Sequence, residues 1–397
     1  MKPTPTTAAF GRKALHCLLA MCGLFAAKTT WAADAATVDA ATALHSIRQG
    51  DLFGLIDAKG RVVLAPEFTE IIFGQPLILV RKGQRTAYLD ASGRMVVPPQ
   101  EAWTLPYAEG LMPAMGKDAQ GRTRWGYVDS SGKWAITAAY DSAGAFSGGL
   151  AVVGLDDAWG VPKYGAINRD GKLVLPAQHD KLLPAACGLV RSESKQRTHR
   201  VFDASGRDIT PAKIDFVGLP ADGMVRVWAS RQQGFMTLAG ALSVSPRFAQ
   251  AGDFSEGRAR VWVDGKYGYI DRQGQLVVPA QYDTAEDFSD GLALVKQEGR
   301  ILFIDHQGRV QLQFHPQPQL QPQQQAQVER AWSFSEGLAV VKVGNQHGYI
   351  DKHGKVVIEP QFSFARPFSR GLAYVGLGRS SSYIRPDGQT VWRSAIP

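Results

Sequence analysis

Residues 267–295 run YGYIDRQGQLVVPAQYDTAEDFSDGLALV, and this stretch predicts short antiparallel strands joined by tight turns. In its first turn, 271–274, an Asp side chain can accept a backbone N–H and a Gly can adopt a positive φ. The flanking residues are aromatic or β-branched, which favours paired strands. Pro279 follows the second strand, where a residue without an N–H ends the ladder. A second turn at 288–291, Phe-Ser-Asp-Gly, precedes the next apolar strand.

The pattern recurs about every 34 residues, which predicts about ten copies. Close copies occupy 125–153 and 347–375, and a partial copy occupies 382–392. More divergent copies begin near Phe53, Thr86, Tyr164, His199, Gln233 and Arg300. We predict purely structural roles for the residues that open and close the first turn of each copy: Asp57, Gly60, Asp90, Gly93, Asp129, Gly132, Asn168, Gly171, Asp203, Gly206, Asp271, Gly274, Asp305, Gly308, Asp351 and Gly354. Thr237 and Arg385 occupy the opening position in two further copies.

Two or three short strands cannot bury an apolar face alone, so neighbouring copies must stack into an all-β array. We expect an open superhelical (solenoid-like) array of β-hairpin or meander repeats, and we place a closed propeller second. The reason is that 34 residues are few for the four strands of a propeller blade. The array is predicted at 50–392, after a linker at 33–49, with a Gln/Pro-rich loop insertion at 313–327.

The first 32 residues predict a cleavable signal peptide. Arg12 and Lys13 precede a short apolar stretch, and small residues at Thr30 and Ala32 fit cleavage after Ala32. A lipid anchor at Cys22 is disfavoured because Met21 stands where a small residue is expected. We therefore expect an exported protein, periplasmic or secreted, with no transmembrane segment after cleavage.

Composition restricts the possible partners. The chain is 45% hydrophobic and 20% charged, as in globular proteins. Residues 1–32 carry four basic side chains and no acidic one, so cleavage lowers the net charge from +8 to +4. That excess is too small to argue for nucleic acid. Only Cys187 remains after cleavage, and its apolar neighbours predict a small buried side chain.

At residues 125–129, Trp-Gly-Tyr-Val-Asp, the chain resembles the WG, or KWG, β-repeat family. Elsewhere Phe53, Tyr164, Tyr267 and His347 precede the Gly in place of Trp. The resemblance covers about residues 50–392. It implies a bacterial interaction or scaffold module with no established activity and no catalytic residues to transfer.

Motifs for catalysis, cofactors or metals are not evident in the sequence. The Asp series could suggest calcium, but turn geometry explains each position, and one carboxylate per repeat does not form a cage. His347 and His353 flank a turn without a second ligand cluster for zinc. We expect a protein that is not an enzyme and that has no cofactor. Carboxylates from different repeats could still meet in space.

One departure from the repeat suggests a ligand surface. Aligned on the Gly-Leu-Ala strand, adjacent repeats carry Arg191, Arg226 and Arg260 at one position, and Trp228 and Trp262 two residues later. Residues two apart on a strand share a face. These side chains could form a cation–π ladder between units, or a platform for a glycan or an anionic polymer.

Three functions fit these observations. The first is an exported, non-catalytic module that binds a protein or a cell-wall or glycan polymer over an extended surface. The second is a structural spacer, and the third is an envelope-polymer hydrolase whose site is assembled across repeats.

Overall fold

The computed structural model describes residues 43–73, 77–100, 107–184, 186–194, 199–314, 328–378 and 380–394. The predicted signal peptide and residues 315–327 of the predicted insertion lie outside these ranges. Residues 37–397 form one compact unit. No helical segment in the described part of the chain has the length and hydropathy of a membrane span.

Strands account for the regular structure of the described residues. In the first half of the chain they are β1 Leu44–Gln49, β2 Leu52–Asp57, β3 Val62–Phe68, β4 Glu70–Phe73, β5 Ile78–Lys82, β6 Arg85–Leu89, β7 Met95–Gln100, β8 Met112–Lys117, β9 Thr123–Val128, β10 Trp134–Tyr140, β11 Ser142–Ala143, β12 Ala151–Asp156, β13 Pro162–Ile167, β14 Leu173–His179, β15 Leu182–Pro184, β16 Val190–Glu193 and β17 His199–Phe202. In the second half they are β18 Phe216–Ala221, β19 Met224–Ala229, β20 Gln232–Thr237, β21 Leu242–Phe248, β22 Ala259–Val263, β23 Lys266–Ile270, β24 Leu276–Tyr282, β25 Thr284–Ala285, β26 Ala293–Gln297, β27 Arg300–Ile304, β28 Val310–Phe314, β29 Arg330–Ala331, β30 Leu338–Val343, β31 Gln346–Asp351, β32 Val356–Phe362, β33 Phe364–Ala365, β34 Ala373–Leu377, β35 Ser380–Ile384 and β36 Thr390–Arg393.

The strands form ten antiparallel sheets, which we call blades 1 to 10. They span residues 44–68, 70–100, 112–140, 142–179, 182–202, 216–248, 259–282, 284–314, 330–362 and 364–393. A full blade has strands a, b, c and d in chain order, and strand a is often only two residues long, as in β25. Blades 1, 3 and 7 are described without strand a, and blade 5 without strand d. Residues 44–49 of the predicted linker form β1 and pair with β2.

The glycine of the aromatic-Gly pair has a steric reason. In blade 7, Tyr267 pairs with Tyr282 and Tyr269 pairs with Val278, so four residues of strand d oppose two residues of strand c. Strand d therefore bulges over Gly268, and a Cβ on Gly268 would lie 2.6 Å from the carbonyl oxygen of Val278. The same two-residue excess occurs in blades 1, 3, 4, 6 and 9, which all have Gly at this position.

Blade 8 has neither the glycine nor the bulge at this position. Leu302 replaces the glycine, and it pairs directly with Gln313 between two regular neighbouring pairs. Strand d of this blade also lacks the proline that the bulged blades other than blade 3 have. The glycine, which every blade with the two-residue excess shares, therefore belongs to the bulge, whereas blade 3 forms the bulge without a proline.

Adjacent blades pack through the turn between strands c and d. In blade 5, Gly206 of this turn lies against the carbonyl of Val174 on strand d of blade 4. Gly240 of blade 6 lies in the same way against Ile209. Apolar side chains fill the space between blades, including Tyr269, Phe288 and Val295 at the interface of blades 7 and 8. Each interface buries the apolar faces that a single blade would expose.

Blade 10 makes the same contact with blade 1. Gly60 in the c–d turn of blade 1 lies against the carbonyl of Val391 on strand d of blade 10. The hydroxyl of Tyr383 donates to the carbonyl of Ser46 at 2.9 Å. Ile47 and Ile56 of blade 1 pack with Leu372 and neighbouring aromatic residues of blade 10.

The predicted open superhelical array is therefore wrong, and the ten blades close into a β-propeller. An open array would leave the apolar faces of its first and last units exposed, whereas here they bury each other. Thirty-four residues accommodate four strands because strand a needs only two residues in several blades.

Candidate functional site

Strand b of three consecutive blades carries the candidate ligand surface that the sequence singled out. Arg191 lies on β16, Arg226 and Trp228 on β19, and Arg260 and Trp262 on β22. All five side chains are half-buried. Because the three strands are equivalent, the structure places these residues at corresponding positions in blades 5, 6 and 7.

Each arginine binds the backbone of the next blade. Nη1 of Arg191 donates to the carbonyl of Val217 at 2.6 Å, and Nη1 of Arg260 donates to the carbonyl of Ala285 at 2.8 Å. Arg226 donates in the same way to the carbonyl of Ala251. The arginine column therefore ties neighbouring blades together.

Carboxylates also approach two of these arginines. Nε of Arg226 lies 3.1 Å from Oδ1 of Asp253, and Nε of Arg260 lies 3.5 Å from Oδ1 of Asp287. The two arginine side chains remain 24% and 34% exposed. At Arg191, burial lowers the pKa of the guanidinium, while the charge of Glu193 opposes the shift.

The two tryptophans pack edge-on against other rings. Trp228 contacts Phe216 with ring centroids 4.9 Å apart, and the guanidinium of Arg226 lies 4.8 Å above Trp228. Trp262 contacts Tyr267 at 4.6 Å. The Arg226–Trp228 contact lies within one strand, whereas Arg191 lies 5.0 Å above Phe216 of the next blade. A cation–π contact between blades therefore exists, but without tryptophan.

The turn residues lie where chain reversal needs them. In blade 5, Oδ1 of Asp203 accepts the backbone N–H groups of Ser205 and Arg207, and the N–H of Gly206 binds the carbonyl of Asp203. Gly206 has φ +82°. The hydroxyl of Ser205 is the largest cause that lowers the pKa of Asp203. The same backbone pattern occurs at every turn in the sequence series, with Thr237, Asn168 and Arg385 replacing Asp.

Sequence reasoning missed the acidic residue of the Phe-Ser-x-Gly turn. In blade 9, Glu336 has φ +54°, and its carboxylate accepts the N–H groups of Arg370 at 2.5 Å and Gly371 at 2.9 Å in blade 10. Corresponding bonds to the next blade are made by Glu109, Asp222, Glu256 and Asp290. An acid at this position in five repeats was the signal that could have revealed the contact.

Two exposed residues, Cys187 and Trp159, were not expected from the sequence. Cys187 occupies the same turn position in blade 5, and it is exposed, so the expectation of a buried thiol is wrong. Trp159, at the tip of the β12–β13 hairpin, is 90% exposed. Within the described ranges, no three His, Cys, Asp or Glu side chains are grouped so that they could hold a metal ion.

Comparison with known proteins gives a family and distant structural similarities. Residues 53–85, 125–159, 164–191, 234–267, 267–300, 325–346 and 348–378, more than half of the chain, match the sequence model of the WG containing repeat. No curated protein matches the chain.

Among solved structures, Hsv2p of Kluyveromyces lactis aligns with 11% identity over 64% of this chain and 97% of that one, with a TM-score of 0.32. The extracellular domain of the hybrid two-component system BT3049 of B. thetaiotaomicron aligns with 12% identity over 89% of this chain and 56% of that one, with a TM-score of 0.25. The extracellular domain of BT4673 from the same organism aligns with 10% identity over 89% and 65%, with a TM-score of 0.26.

Proposed function

The chain belongs to the WG-repeat family, and from this premise we propose that it is an exported, non-catalytic binding module for a protein or a cell-envelope polymer. The observation that carries the proposal is the recurrence of a half-buried arginine at equivalent positions of three adjacent blades, with a half-buried tryptophan two residues later in two of them. Export rests on the sequence of residues 1–32, which predicts a signal peptide.

The chemistry of this surface supports binding rather than catalysis. Guanidinium groups donate hydrogen bonds and carry positive charge, and indole rings offer apolar faces to sugars or side chains. Hydrogen bonds lower the pKa of carboxyl groups such as Asp203, Asp208 and Asp305 in spite of partial burial. A general acid would instead need a raised pKa.

The protein itself provides residues for a test of this surface. Blade 8 has Leu294 and Lys296 at the positions that Arg226 and Trp228 occupy in blade 6. A variant with Arg226→Leu, Trp228→Lys, Arg260→Leu and Trp262→Lys therefore gives blades 6 and 7 the surface of blade 8. Leucine and alanine both remove the hydrogen bond to the carbonyl of Ala251, but alanine would also leave a larger gap between the blades.

Retention on isolated cell-wall sacculi and crosslinking in the envelope are the two readouts. We expect the wild type to be retained and the fourfold variant to lose at least about tenfold of its affinity, with the melting temperature lowered by only a few degrees. Equal retention of the two proteins would refute this surface. Release of soluble fragments from sacculi would favour the hydrolase, and neither retention nor a crosslinked partner would favour the spacer.

A further inference from the structure

Blade 9 places positively charged side chains opposite one another. Arg330 on β29 pairs with Lys342 on β30, and Lys342 pairs with His347 on β31. Residues that pair directly across a sheet share a face, so two permanent cations and an imidazole lie in one row. Arg330 is exposed, and Lys342 and His347 are half-buried. We call these three residues the blade 9 row.

Trp332 positions the guanidinium of this row. It follows Arg330 by two residues and continues the ladder, because its N–H binds the carbonyl of Val340 at 3.0 Å, so it shares the face of the row. The guanidinium carbon of Arg330 lies 4.9 Å from the centre of the indole, and the imidazole of His347 lies 5.5 Å from it. This cation–π contact orients the guanidinium but does not supply the hydrogen-bond acceptors that its N–H groups require.

The equivalent rows of two other blades oppose a cation with a carboxylate. In blade 2, Arg81 pairs with Glu70 across the sheet, and Nη1 of Arg81 lies 2.6 Å from Oε2 of Glu70. In blade 5, Nζ of Lys181 lies 2.7 Å from Oε2 of Glu193. The repeat therefore accommodates a cation at these positions together with its own counter-charge.

The blade 9 row has little compensation of this kind. Nζ of Lys342 lies 4.0 Å from Oε2 of Glu329, whose Oε1 accepts the N–H of Gly344 at 3.1 Å. In the ranges that the structure describes, no carboxylate pairs with Arg330. Like charges directly opposite each other destabilise a sheet. An arrangement that costs stability here, and that is neutralised in the equivalent rows, indicates a site for an anion from outside the chain.

The row continues the candidate ligand surface along the ring. Counted from the glycine before strand b, Lys342 occupies the position that Trp228 has in blade 6 and Trp262 has in blade 7. Lys296 occupies it in blade 8, where it is exposed and forms no ion pair with the described residues. Four consecutive blades therefore present two indole rings followed by cations that lack a close counter-charge.

We propose that this arc of blades 6 to 9 binds a linear polysaccharide that carries carboxylates. Its sugar rings lie against Trp228 and Trp262, and its carboxylates bind Lys296 and the blade 9 row. Indole rings pack against sugar faces, and guanidinium and ammonium groups bind carboxylates. The inference rests on the proposed function and narrows its ligand, because an acidic peptide would satisfy the cations without offering sugar faces to the indoles.

Titration calorimetry with three polymers of matched length tests the class of ligand. We expect polygalacturonate, a linear chain of carboxylated sugars, to bind at least about tenfold more tightly than neutral dextran or polyglutamate, and its affinity to fall as salt is added. Polygalacturonate that does not bind, or polyglutamate that binds as tightly, would overturn the inference. If the wild type is still retained on sacculi in that case, the proposed function stands and only the class of ligand is wrong.

Substitutions copied from other blades test the blade 9 row. Arg330→Glu places a carboxylate opposite Lys342, as in blade 2, and should weaken polygalacturonate binding at least about tenfold. Arg330→Gln installs the residue that blade 7 has at this position, Gln250, and should weaken binding several-fold. The melting temperature of both variants should stay the same or rise, because like charges no longer face each other.

Lys355→Glu is the matched control. Lys355 is exposed in the c–d turn of the same blade, at the opposite end of strand c, and its substitution changes the net charge as Arg330→Glu does. We expect it to leave polygalacturonate binding unchanged. An equal loss of binding with Lys355→Glu, or a lower melting temperature with unchanged binding in both Arg330 variants, would overturn the assignment of this row to the ligand.

Discussion

The steric role of the aromatic-Gly pair predicts a specific cost for Gly268→Ala. The new Cβ would lie 2.6 Å from the carbonyl oxygen of Val278 and 2.8 Å from the backbone nitrogen of Ala280. Both atoms belong to the backbone of the bulge, so neither can rotate away as a side chain would. Strand d must shift, and overpacking of this kind costs about 1–3 kcal/mol.

Replacement of glycine by alanine also restricts the unfolded chain, which stabilises the fold by about 0.4–1 kcal/mol. We therefore expect a net loss of about 1–2 kcal/mol. For one compact unit of residues 37–397, the entropy of unfolding is about 0.7 kcal/mol/K, so 1 kcal/mol changes Tm by about 1.4 °C. Differential scanning calorimetry should show a decrease of about 1.5–3 °C.

Gly144→Ala is the matched control, because its Cβ would meet only the carbonyl oxygen of Val152, at 3.3 Å. Alanine at this position restricts the unfolded chain to the same extent and makes no severe contact in the folded protein, so Tm should stay the same or rise slightly. Equal changes in Tm for the two variants would refute the claim that the bulge is what requires Gly268. A crystal structure of Gly268→Ala with an unmoved strand d would refute it as well.

Three other predictions follow from single contacts. Asp57→Ala should lower the free energy of unfolding by about 1–3 kcal/mol, because the N–H groups of Lys59 and Arg61 lose their acceptor. Asp57→Asn keeps an acceptor oxygen and should lower this free energy by less. Urea-induced unfolding of the two variants and the wild type gives the comparison. Glu336→Ala should cost about 1–2 kcal/mol by removing the bonds to blade 10, and hydrogen exchange should rise at the turn of that blade and not in blade 5. Burial lowers the pKa of His45, so the folded protein favours the neutral imidazole. The free energy of unfolding should therefore fall as the pH drops below about 6.5 toward the folded-state pKa. A His45→Gln variant should show a shallower pH dependence of Tm.

The local structure was predictable from the sequence because it depends on nearby residues. The turn at 271–274 follows from an acceptor side chain and a glycine at fixed spacing, and Gly274 has φ +80° as that turn requires. The all-β repeat was likewise predictable, and the WG-repeat assignment is confirmed. The recurring glycine was visible in the sequence, but the bulge that requires it at Gly268 depends on the register between strands c and d.

The candidate ligand surface was only partly accessible to sequence reasoning. The alignment placed Arg226 and Arg260 at equivalent positions, and the structure keeps them so. It could not show that each guanidinium binds a carbonyl of the next blade, since that carbonyl lies 25 residues later in the chain. Whether the exposed part of this surface binds a ligand stays a prediction.

The sequence by itself determined the unit: its strands, its turns and the need of each copy for a neighbour. These properties depend on interactions over a few residues and on an alternation of apolar side chains. Only the tertiary structure decided that the array closes. Closure depends on the small rotation between successive blades, accumulated over ten interfaces until Gly60 meets Val391, and no residue encodes that angle alone. It is a sum over many packing contacts, so it appears only when all the blades are in place.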